Sequence, residues 1–217
     1  MKWLIFLLVL SNPVAAFAQS NVTGSIITTD AATLSEEGRF VGDAARAFGD
    51  KFATCVVNRH YIKTVKALAL APDSAEQFTA LHKVFDSKCI LSGGMNVEMQ
   101  SNPVSFRNSL YKALVRKSFA RTPFILAAAP ISTTGRNAGM IAFADCVVRL
   151  DSQASLRLIL AVAGTSKERA AIDGLRPQLG QCLTPGKTVS LARSSFSAAI
   201  SEAYYREAKA SQPVGSK

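Results

Sequence analysis

The sequence predicts a mostly all-α fold: two tandem homologous helical units, each closed by a disulfide, packed as a pseudo-symmetric pair. Three observations predict it. Phe52-Ala53-Thr54-Cys55-Val56-Val57 returns 91 residues later as Phe143-Ala144-Asp145-Cys146-Val147-Val148. A fixed-period echo of this kind marks a repeated supersecondary unit. All four cysteines are used by the two copies, Cys55 and Cys89 standing 34 residues apart and Cys146 and Cys182 standing 36 apart. Apolar residues step by three and four through both copies, which is the helical period. Two repeats are too few for an open solenoid, so the units should pack on one another.

The elements follow in chain order. Residues 1–18 read as a signal peptide, with Lys2 as its positive start, Trp3–Leu10 as its apolar run and Ala16-Phe17-Ala18 as its small-x-small cleavage site. That run is shorter than the roughly 20 residues a spanning helix needs. Residues 19–39 are polar and read as a flexible leader. Unit 1 covers 40–121. Its first helix carries Val41, Ala45, Phe48, Phe52, Cys55 and Val56 on one face. Its second, Tyr61 to Leu70, turns Ile62, Val65, Leu68 and Ala69 inward and ends at Pro72. Asp73-Ser74-Ala75-Glu76 suggests a capping box for a third helix running to Cys89. Gly93-Gly94 forces a turn, after which Val97-Glu98-Met99 alternates like a short strand. Pro103 opens the fourth helix.

A linker spans 122–138. Unit 2 covers 139–208 in the same order. Asp151 or Ser152 opens its second helix, with Leu156, Ile159 and Leu160 inward, and Gly164 closes it. Thr165-Ser166-Lys167-Glu168 is its capping box. Ile172, Leu175, Leu179 and Cys182 line the third helix, and Pro185-Gly186 turns the chain toward a possible strand at Val189-Ser190-Leu191. Residues 209–217 read as a disordered tail.

Four cysteines allow three connectivities, and the repeat selects one: a unit present twice closes its own bridge twice, giving Cys55–Cys89 and Cys146–Cys182. Export and an even cysteine count point to an oxidising compartment. Without a Cys-x-x-Cys the bridges read as structural.

Signals for catalysis are weak. The chain has two histidines, His60 and His82, and neither belongs to a metal-binding motif. Ser109-Leu110-Tyr111-Lys112 matches Ser-x-x-Lys, but lies within a helix and lacks a Lys-Thr-Gly partner. No carboxylate pair is placed by the sequence. The expected catalytic, metal and cofactor sets are empty.

Charge is more informative. The formal net charge is +10, or +9 once Lys2 is removed. No acidic residue occurs between Glu98 and Asp145, whereas Arg107, Lys112, Arg116, Lys117, Arg121 and Arg136 all do. Arg107 and Arg193 each precede apolar residues by three and seven positions, Leu110 and Leu114 in one case, Phe196 and Ile200 in the other. They read either as structural arginines bonded to Glu76 and Glu168, or as anion-binding arginines related by the pseudo-twofold. Lys112 and Arg116 share a helix face and join them as candidate anion-binding residues. Arg59, Lys63 and Lys66 form a second basic strip.

The Phe-Ala-x-Cys-Val-Val start, the Cys182-Leu183-Thr184-Pro185-Gly186 turn and the Ala199–Arg206 end together resemble a group of uncharacterised exported proteins of alphaproteobacteria with paired two-cysteine helical units. The likeness covers roughly Phe52 to Arg206. It implies compartment and repeat construction, and it carries no site.

The function expected is therefore an exported, periplasmic or secreted, non-enzymatic binding or interaction module for an anionic ligand or surface. A small periplasmic hydrolase or lytic enzyme is the alternative. A basic protein held on anionic lipid or polysaccharide is the second, with an envelope protein as a further partner. Specific nucleic-acid binding is not expected, because no basic-aromatic recognition motif is present.

Overall fold

A computed structural model describes residues 26–29, 39–40, 42–91, 97–100, 103–119, 138–183 and 192–211. The expected signal peptide, most of the linker, the strand at 189–191 and the end of the tail lie outside the described residues.

Two helical sets follow each other at the repeat offset. Unit 1 contains α1 (Asp43–Leu68), α2 (Ala75–Val84), α3 (Lys88–Leu91) and α4 (Pro103–Ser118). Unit 2 contains α5 (Ala138–Leu150), α6 (Ser152–Leu160), α7 (Ser166–Gly174), α8 (Arg176–Cys182) and α9 (Arg193–Ala210). Alpha helix dominates, as the periodicity predicts. A small antiparallel sheet adds β1 (Ile26–Thr29), β2 (Arg39–Phe40) and β3 (Val97–Gln100) in the order β2-β1-β3, with Ile27 opposite both Phe40 and Met99. The strand expected after Gly93-Gly94 is thus present, and its partners come from the segment read as a flexible leader.

α1 differs from the two helices expected there: it runs continuously, with a kink at His60 (φ −130°, ψ 37°). The equivalent residue, Asp151, breaks the chain fully and caps α6, its carboxylate accepting from the Ala154 amide at 2.7 Å. The kink re-phases the buried face. Thr64, Ala67 and Leu68 turn inward, so Ile62, expected inside, is 63% exposed. Leu160 is outward for the same reason, since Ala154, Ser155, Leu158 and Ile159 form the buried stripe of α6.

The third helix of each unit is split. α2 ends at Val84 before α3, and α7 ends at Gly174 before α8, which begins with Pro177 in its first turn. Both bridges form as paired by the repeat, Cys55–Cys89 with Cα atoms 5.6 Å apart and Cys146–Cys182 with Cα atoms 5.8 Å apart. They tie the first helix of each unit to its short third-position helix.

Caps open the helices that follow the turns. Ser74 accepts from the Gln77 amide at 3.1 Å while the Gln77 side chain accepts from the Asp73 amide at 3.1 Å. Thr165 and Glu168 make the matching pair of bonds in unit 2, with the Gly164 amide donating to Glu168 at 2.9 Å. The unit 1 box is thus Ser74–Gln77, one residue beyond the expected Glu76. Satisfying amides left over at a helix start is worth about 1 kcal/mol per cap.

Equivalent aromatic pairs from the two units fill one shared core. Phe52 and Phe106 lie 5.5 Å apart between ring centroids, and Phe143 and Phe196 lie 6.5 Å apart. α4 packs on α1 as α9 packs on α5, and α4 and α9 pack on each other. The seam between the units is therefore lined by the two fourth helices.

Candidate functional site

A cleft of about 960 Å³ follows this seam, bounded by α1, α4, α5 and α9 and by the turn at 69–73. Its size falls within the range of small-molecule sites. Val65, Leu68, Leu70, Met140 and Ile141 supply apolar wall.

Its polar groups come from helix registers that packing enforces. Tyr61 Oη lies 3.1 Å from Ser118 Oγ, and Tyr111 Oη donates to the Leu68 carbonyl at 3.2 Å. Seven residues forward along α1 thus match seven backward along α4, an antiparallel register. One further turn back along α4 brings Arg107 level with the turn at 69–73.

Arg107 is 4% exposed. Its Nη2 donates to Glu202 of α9 at 2.6 Å, and its guanidinium lies 5.2 Å from the Tyr111 ring centroid. Its Nε is buried and has no hydrogen-bond partner. Burial pushes the Glu202 carboxyl up, opposed by Arg107 and Arg206. Burial also pushes the Tyr111 phenol up to about 12.

Lys112 contacts Asp50 of α1 at 2.6 Å, and Arg116 reaches the same carboxylate at 3.5 Å. Burial pushes the Lys112 ammonium down, opposed by Asp50. Arg116 also donates to the Ile159 and Ala161 carbonyls, at 3.0 and 2.9 Å, capping the end of α6 from the other unit. Two cations thus share one carboxylate at this wall. On the opposite wall Arg206 donates to both oxygens of Asp145 at 2.9 Å, while its own Nε has no partner.

The expected equivalence of Arg107 and Arg193 does not hold. Arg193 is half exposed and stands 3.9 Å from Asp43, whereas Arg107 is buried on Glu202. Neither takes its expected carboxylate: Glu76 is exposed, and Glu168 is bonded to Arg46 of α1. The shared feature of the fourth helices is instead Phe106 and Phe196, each buried four residues before a fully buried Leu110 or Ile200. In that register Arg107 matches Ser197 and Lys112 matches Glu202. Arg107, Lys112 and Arg116 do converge on the seam, Arg107 and Lys112 lining the cleft; Arg193 stands apart from them.

Asp73, which the sequence offers only as the first residue of a capping box, is the most unusual cleft residue. It is the one described non-glycine residue with positive φ, at 61°. Its Oδ1 is buried and has no hydrogen-bond partner. Its equivalent is Gly164, at φ 79°. Aligning the units at 91 residues makes this Asp-for-Gly exchange visible.

Ser109 also lines the cleft, three residues before Lys112. Among the described residues no cluster of histidine, cysteine or carboxylate side chains could hold a metal, and no helix is long and apolar enough to cross a membrane. The chain matches no protein-family model, no curated protein and no solved structure.

Proposed function

We propose that the protein is an exported, non-enzymatic binding module whose seam cleft takes a small amphipathic anion. One observation carries the reading: Arg107, 4% exposed, lines the cleft and has a buried N–H donor with no acceptor. An unmet buried donor costs roughly 1–3 kcal/mol, which a ligand oxygen would recover. The sharing of Asp50 between Lys112 and Arg116 leaves a cationic surplus at the neighbouring wall. The apolar residues facing these groups fit a hydrocarbon body. Two disulfides support a compartment outside the reducing cytoplasm, and the N-terminal segment supports export to the periplasm or beyond.

Hydrolysis is the weaker reading. Ser109 and Lys112 do face one cleft, but the Lys112 amine is held on Asp50 at 2.6 Å, and among the described residues the contacts of Ser109 include no base. Labelling of Ser109 by a fluorophosphonate would reverse that preference.

Isothermal titration of the disulfide-bonded chain with decanoate tests the binding reading. Saturable binding is expected, lost with decanoic amide and weakened about tenfold or more in Arg107→Lys. Equal affinity for acid and amide would refute an anion site. Attachment only to anionic vesicles, abolished by salt, would favour the exposed basic strip instead.

A further inference from the structure

We propose that the cleft is built for a zwitterion: a short apolar peptide whose carboxylate meets Arg107 and whose terminal ammonium meets Asp73. The inference rests on the anion reading of Arg107 and adds a second anchor to it.

Two unmet groups of opposite kind line the cleft. Arg107 offers an N–H without an acceptor, and Asp73 offers a carboxylate oxygen without a donor. The antiparallel register of α1 and α4 brings Arg107 level with the turn that holds Asp73. Both line the cleft, and no ion pair joins them among the described residues. A protein that only needed to neutralise Arg107 has Glu202 for that purpose already, at 2.6 Å.

The backbone argues that Asp73 is kept for its side chain. A left-handed conformation disfavours residues with a Cβ, aspartate less than most, and glycine adopts it freely. Unit 2 uses Gly164 at this position, where a Cβ would stand 2.4 Å from the Asp43 Cβ. Unit 1 puts an aspartate there, although the Ser74–Gln77 box needs only the Asp73 amide. The carboxylate serves none of these contacts and points a buried oxygen without a partner.

The chemistry narrows the cation. A buried acceptor oxygen requires a proton donor, so a primary ammonium satisfies it and a quaternary ammonium does not. Val65, Leu68, Leu70, Met140 and Ile141 select apolar side chains between the two ends. A cleft of about 960 Å³ has room for a peptide of a few residues.

The test is titration of the intact, disulfide-bonded chain with trileucine, N-acetyl-trileucine and trileucine amide, repeated on Asp73→Asn and Asp73→Gly. Trileucine is expected to bind. Acetylation and either Asp73 substitution should each weaken it about tenfold or more, and the acetylated peptide should not distinguish the variants. Thermal melts establish that both variants are folded, Asp73→Gly being free of the backbone strain. If the acetylated peptide binds as tightly as the free one, the Asp73 assignment is overturned and the carboxylate reading stands. If the amide binds as tightly as the acid, the anion reading beneath it falls as well. Absence of binding by all three peptides overturns the proposal.

Discussion

Arg107 of α4 and Glu202 of α9 meet at 2.6 Å across the seam, both almost fully buried. Each belongs to a different unit, and each is the other's nearest opposite charge. A buried pair of this kind adds little net stability but punishes the loss of one partner, because the remaining charge stays desolvated. Glu202→Ala should cost about 3–5 kcal/mol, and the double substitution Arg107→Met, Glu202→Met should cost less than that single one. Urea unfolding of the three chains measures both. A double variant less stable than Glu202→Ala would show the pair to be net stabilising.

Gly164 and Asp73 should respond in opposite directions. Gly164→Ala places a Cβ against Asp43 at a backbone angle that disfavours one, so a loss of about 1–3 kcal/mol is expected. Asp73→Gly relieves strain at the equivalent site and should leave stability unchanged or raise it by about 1 kcal/mol. Differential scanning calorimetry reads the two shifts in melting temperature. Equal destabilisation by both would remove the idea that Asp73 is retained at a cost to the fold.

Each disulfide closes a loop of similar length, 34 residues in unit 1 and 36 in unit 2. Chain entropy assigns about 3–4 kcal/mol to a loop of that size. Replacing Cys146 and Cys182 together by serine should lower stability by that amount, leaving the Cys55–Cys89 bridge intact. Non-reducing peptide mapping gives the linkage and denaturant unfolding gives the loss. A mixed bridge in the four-cysteine chain would contradict the pairing.

Tyr111, Tyr204 and Tyr205 are pushed up to about 12 by burial. A phenol whose folded value is raised contributes stability that is present below the unfolded value of about 10 and is lost as pH rises toward 12. Absorbance titration near 295 nm should therefore show Tyr111, Tyr204 and Tyr205 still protonated at pH 10.5, then ionising together with unfolding. Independent, reversible ionisation of these three near pH 10 would mean that their rings are not buried.

Local chemistry made much of the fold readable. The 91-residue echo set the helix order and both bridges, and Thr165 with Glu168 was legible as a capping box because both partners sit within four residues. The unit 1 box sits one residue beyond the expected one because Glu76 is the acid in sight, whereas the side-chain carbonyl of Gln77 accepts the same bond. Extending one period across His60 and Asp151 points Ile62 and Leu160 inward, but kink and cap reset the phase there. The site was less readable. Arg107 was found by its place on an apolar stripe, but its partner Glu202 is 95 residues away, and periodicity carries no information about pairing at that range. Asp73 signals itself only when the two units are aligned against each other.

The most direct test of the seam cleft is a proton–nitrogen correlation spectrum of the labelled, disulfide-bonded chain during titration with decanoate. The Arg107 Nε–H resonance should shift and saturate together with the amides of Leu68, Leu70, Asp73, Ser195, Ser197 and Ser201, drawn from both units. Shifts confined to the exposed strip of Arg59, Lys63 and Lys66, fading as salt is added, would contradict it.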